Sequence, residues 1–70
     1  MQELLKQTES DIIETEKTIK KLRAKRAKTR TTAVLYGLDR EILEFEAILN
    51  DLRRTKAEIE DYIKRSEKNA

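Results

Sequence analysis

Eight basic side chains crowd into one stretch of the chain: Lys17, Lys20, Lys21, Arg23, Lys25, Arg26, Lys28 and Arg30. A second, shorter group holds Arg53, Arg54 and Lys56. Clustered lysine and arginine are what a protein needs to neutralise a nucleic-acid backbone, a contact that depends on charge and not on base sequence. The same residues also serve as a solvated helix surface, or as a strip that answers an acidic strip on a partner protein. Three features weigh against nucleic acid. The charges wrap around a helix instead of forming one stripe, no aromatic ring lies among them to stack on a base, and no reader motif occurs.

Other chemistry finds little material. Histidine and cysteine are absent, so no activated nucleophile pair can be assembled from them. Glu41 with Glu44, and Glu58 with Asp61, bring carboxylates together one helical turn apart. They fall on a polar face, where nothing raises a carboxylate pKa into a catalytic range. No glycine-rich phosphate loop occurs. The expectation is a non-enzymatic chain with no catalytic residue, no cofactor and no metal site. Membrane binding is not expected either. No apolar run approaches the ~20 residues of a span, and the basic region lacks an apolar face carrying Trp or Phe. Residues Met1–Lys6 do not read as a signal peptide, so a cytoplasmic location is expected.

These side chains need elements to position them, and the apolar periodicity supplies two. The chain has 70 residues, 43% of them charged and 4% aromatic, with one glycine and no proline. That is one domain, residues 1–70, with little apolar surface to bury. Cores of this size contribute only ~3–5 kcal/mol without staples, which makes association the expected source of stability. Positions spaced alternately four and three apart pick out Leu5, Thr8, Ile12, Thr15, Ile19, Leu22, Arg26, Thr29, Ala33 and Tyr36. A second run picks out Leu38, Ile42, Phe45, Leu49, Leu52, Lys56, Ile59 and Ile63. The two frames differ in phase by two residues. A continuous coiled coil absorbs insertions of three or four, so the pattern predicts an all-α, antiparallel two-helix hairpin.

The lone Gly37 places the turn at residues 36–39, because glycine adopts the positive φ of a helix C-terminus without a Cβ clash. Helical arms are then expected over about 2–35 and 40–66, with fraying from Ser66 to Ala70. Tyr36 is expected to fold over the hairpin tip. A turn at Thr29-Arg30-Thr31-Thr32 is the other placement, since β-branched residues favour caps over helix interiors. It ranks second because matched arms bury their apolar faces along the whole length. With the turn at Gly37, opposed residue numbers add to about 75 at the standard helical rise. Residues 53–56 then come alongside residues 17–30 as a positive belt in the middle of the rod.

The second arm has the broader apolar face, wide enough to touch two neighbours. Ile42, Phe45, Ile48, Leu49, Leu52, Ile59, Tyr62 and Ile63 are the candidate self-association residues. Two hairpins joined through them make a homodimeric four-helix bundle, with higher oligomers as an extension. The function expected is that of a small interaction module, an adaptor, regulator or assembly factor that presents charged helical faces to another protein. The second reading is an auxiliary nucleic-acid-binding protein that uses residues 17–30 and 53–56.

Overall fold

The computed structural model describes residues 1–68. It contains two helices, α1 (Gln2–Lys28) and α2 (Thr32–Lys68), packed along each other as a hairpin. The molecule is a rod of 58 × 14 × 12 Å. The 37 residues of α2 account for nearly all of that length at ~1.5 Å each, so α2 is the spine and the 27-residue α1 lies along part of it. Helicity continues to Lys68. The remainder of the segment expected to fray, residues 69 and 70, lies outside the described residues.

The hairpin is as expected, but the turn is not at residues 36–39. It is the three-residue link 29–31, a length typical of antiparallel helix pairs. The arms are therefore unequal. Thr29 leaves α1 with φ −94° and ψ 135°, its N–H donating to the Arg26 carbonyl at 3.1 Å and its Oγ1 to the Lys25 carbonyl at 2.7 Å. Thr31 opens α2 by accepting from the Leu35 N–H at 2.9 Å. Lys25, Arg26 and Lys28 fill the last turn of α1, where positive charge favours the carbonyl end of a helix.

Gly37 sits within α2, has no positive φ, and has open space where a Cβ would project. Its neighbours change roles accordingly. Leu38 is buried as a seam residue of α2 instead of closing a turn, and Asp39 is an interior helical residue. Tyr36 is 72% exposed and does not fold over the tip.

Both apolar frames survive this correction. Along α1, Leu5, Thr8, Ile12, Thr15, Ile19 and Leu22 are buried or half-buried, and along α2 so are Leu35, Leu38, Ile42, Phe45, Leu49, Leu52, Lys56, Ile59 and Ile63. The step in phase falls between Thr29 and Leu35. Ala33 and Tyr36, the last members of the first frame, are exposed.

The register has moved with the turn. Glu16 pairs with Arg53 at 3.6 Å and Arg23 with Glu46 at 3.0 Å, two contacts whose residue numbers each add to 69. That is about one heptad less than a turn at Gly37 gives, so seam positions still meet seam positions. The charges beside the seam are what change. Slipping by seven residues would set Arg23 against Arg53 and Glu16 against Glu60, converting two attractions into two repulsions.

The seam is thin. Its buried apolar residues are Ile19, Leu38, Ile42, Leu49 and Ile59, each still 5–8% exposed. Threonines fill places where leucine would be stronger, and each returns its hydroxyl to its own helix. Thr8 Oγ1 donates to the Leu4 carbonyl at 2.8 Å, and Thr15 Oγ1 to the Asp11 carbonyl at 2.7 Å. Thr8, only 5% exposed, thus adds a methyl group to the interior without leaving a polar atom unpaired. No buried side-chain nitrogen or oxygen lacks a partner among the described residues.

Candidate interaction surfaces

A two-helix rod has two flanks, and helical spacing decides which residues border each. In α2, residues one after Leu38, Phe45 and Leu52 lie to one side of the seam: Asp39, Glu46 and Arg53. Residues one before Leu35, Leu49 and Ile63 lie to the other: Val34, Ile48 and Tyr62. In α1 the same rule sends Glu16 and Arg23 to the first side, and Leu4, Asp11, Thr18 and Lys25 to the second.

The first flank is charged and bridged by ion pairs, with a hollow of about 300 Å³ between Glu16, Ile19, Arg23 and Leu49. Besides Glu16–Arg53 and Arg23–Glu46, Arg26 reaches from the seam to Asp39, bonding through Nε to Oδ1 and, at 3.5 Å, through Nη2 to Oδ2. The hydrogen bond first, and the negative charge of Asp39 second, push the Arg26 guanidinium further above its ordinary pKa. It therefore stays charged at any accessible pH. Arg26 belongs to the first apolar frame, and the register gives this seam position a carboxylate of α2 to bond.

The positive belt is correspondingly different from the one expected. Arg53 lies beside Glu16 and not among residues 17–30, and Arg23 and Arg26 are tied to carboxylates of α2. The acidic residues of α2 between 39 and 51 run beside the basic half of α1, because the turn is seven residues earlier than glycine placement implies. Lys17, Lys20, Lys21, Lys25, Lys28, Arg30 and Arg54 are exposed and form no ion pair among the described residues.

The second flank is open, with an apolar edge on α2 and a mixed edge on α1. Phe45, Ile48 and Leu52 of α2 and Asp11, Glu14, Thr15 and Thr18 of α1 border a shallow groove of about 350 Å³ between the helices. Ile48 is 47% exposed and Tyr62 56%. At the open end of the hairpin, Met1, Tyr62 and Ile63 border a further hollow of about 290 Å³. Of the eight candidate self-association residues, Ile42, Leu49 and Ile59 are buried against α1, and Phe45, Leu52 and Ile63 are half-buried. Ile48 and Tyr62 point outward. Val34 and Leu4, not among those candidates, are also exposed. The same one-before-the-seam spacing that marks Ile48 marks both of them.

Glu41 and Glu44 are exposed, as are Glu58 and Asp61. No group of three or more metal-ligating side chains occurs among the described residues, and no helix there is long and apolar enough to cross a membrane. Set against family models, curated proteins and solved structures, the chain matches none of them.

Proposed function

We propose that the protein is a small, non-enzymatic interaction module of the cytoplasm. It acts as a homodimeric helical bundle whose charged faces dock on another protein. One observation carries this: Leu4, Val34, Ile48 and Tyr62 recur as exposed apolar residues along a flank that no ion pair crosses among the described residues, while the other flank, on whose outer side Ile13, Tyr36 and Leu43 are also exposed, is bridged by ion pairs. Exposed apolar residues concentrated along one edge, with polar residues around them, characterise an association surface. Area points the same way. The hairpin exposes 5898 Å², whereas a compact monomer of 8.3 kDa exposes about 4,600 Å². The excess, roughly 1,300 Å², exceeds the ~800 Å² that each partner buries in a standard interface.

An auxiliary nucleic-acid-binding role remains the second reading, favoured by the lysines that stay exposed and unpaired along α1. Gel filtration with light scattering at low and high salt, with and without a random DNA duplex, separates the two. The module reading expects twice the chain mass at both salts and no co-elution with DNA. A monomeric mass would overturn it. Co-elution that disappears with added salt, or on neutralising Lys20, Lys21 and Lys25, would establish the nucleic-acid reading instead.

A further inference from the structure

The apolar edge of α2 is nearly the same read in either direction. Val34, Glu41, Ile48, Thr55 and Tyr62 recur every seven residues along it, with Ile48 at the centre. The adjoining seam row, Leu38, Phe45, Leu52 and Ile59, is symmetric about almost the same point. From this we infer that two hairpins pack α2 against α2 in antiparallel fashion, about a two-fold axis passing beside Ile48. The inference rests on the dimer reading above and specifies its geometry.

In that arrangement Ile48 meets its own copy, and Val34 meets Tyr62 of the second copy. Glu41 meets Thr55, and Phe45 lies across from Leu52. Apolar residues face apolar residues along these two rows and Glu41 meets no like charge, although Glu44 and Asp51 come level with each other at the outer border. A parallel dimer sets each position against itself, bringing Glu41 onto Glu41 in the middle of the interface, a repulsive pairing. It also stacks the two basic α1 segments side by side. The antiparallel dimer instead sends Arg26, Lys28 and Arg30 of the two copies away from the axis in opposite directions, while Lys20 and Lys21 stay level with it. A two-fold pairing is self-complementary, as a closed homodimer requires.

The unequal arms supply a second, independent match. With residue numbers adding to 69 across the hairpin, Lys28 lies level with about residue 41, so the first two turns of α2 extend past the end of α1. They carry Val34, 45% exposed. In the antiparallel dimer this projecting tip reaches the open end of the second copy, where Met1, Tyr62 and Ile63 border the apolar hollow. The overhang of one hairpin thus covers the uncovered end of the other.

The chain contains no cysteine, so engineered ones report without background. Val34→Cys and Tyr62→Cys are made separately, and light scattering first confirms the mass of each. Under mild oxidation, an equimolar mixture should give a disulfide-linked dimer on a non-reducing gel. Neither variant alone should do so, and Ile48→Cys should link to itself. A second measurement covers loss of the dimer in either variant. Spin labels on Thr32→Cys should lie about 45–50 Å apart in the antiparallel dimer, at ~1.5 Å per residue, and under about 20 Å apart in a parallel one. Self-linking of Val34→Cys and of Tyr62→Cys, or the short label distance, overturns the antiparallel geometry and leaves the module reading standing. A wild-type dimer in which none of the three positions links overturns the choice of face. A monomeric wild type overturns both.

Discussion

The two flanks of the rod are built from the same kind of helix and do opposite things. On one, Glu16, Arg23 and Arg26 meet Arg53, Glu46 and Asp39 across the seam. On the other, no ion pair crosses among the described residues, and Thr18 and Ile48 border a groove. Exposed ion pairs are individually worth only ~0.2–1 kcal/mol, so the charged flank adds little stability. Its contribution is discrimination between registers. The apolar seam is compatible with two alignments one heptad apart, and only the flanking charges distinguish them. The apolar flank settles nothing within the hairpin and leaves surface to cover. Register selection and surface for association are therefore carried by different sides of the same two helices.

That division can be broken at the seam, at the charged flank and at the tip. The largest effect is expected between the flanks. Leu49→Ala removes a residue only 8% exposed and should cost about 2–5 kcal/mol, comparable to the whole stability of so small a fold. Far-UV circular dichroism should show most helicity lost at 25 °C, and a variant as helical as the wild type would remove Leu49 from the core. Phe45→Ala should cost less within the hairpin, since the ring is only half-buried. Its loss of melting temperature should grow with protein concentration if the dimer closes over the ring.

Arg53→Glu sets a carboxylate against Glu16 and should cost about 1 kcal/mol, with Glu16→Arg in the same chain restoring most of it. Failure of the double variant to recover stability in thermal melts would dissociate that pair from register selection. The smallest effect is the sharpest test of the turn. Gly37→Ala should stabilise by about 0.5–1 kcal/mol, because alanine is the better helix residue and its Cβ meets nothing. If the chain reversed at Gly37, the same change would destabilise it by forcing alanine into a positive φ.

Both seams were legible in the sequence because alternation of three and four residues survives wherever the helices break. Leu5 to Leu22 and Leu38 to Ile63 lie where the spacing puts them. The turn was less legible. The phase step allows a break anywhere between Thr29 and Leu35, and a single glycine draws attention beyond its cost, ~1 kcal/mol inside a helix. Thr29, Thr31 and Thr32 lose less by leaving helical geometry than a leucine-rich stretch would. The deciding signal is one of charge: Glu16 and Arg23 are complementary to Arg53 and Glu46 in one register and repelled in the other. The same shift explains the belt. A register of about 75, which a turn at Gly37 implies, places Arg53 beside Lys20 and Lys21 in a positive cluster.

The account turns on the apolar flank being the surface that joins two copies and the charged flank not being so. Sedimentation equilibrium on Ile48→Asp and on Arg23→Glu tests this directly. Ile48→Asp should raise the dimer dissociation constant at least ~100-fold, since a carboxylate would be buried at the interface centre without a partner. Arg23→Glu should change it less than ~5-fold, because that residue contributes an exposed ion pair within one hairpin. Equal dissociation constants for the two variants, or a stronger effect from Arg23→Glu, would contradict the assignment of the flanks.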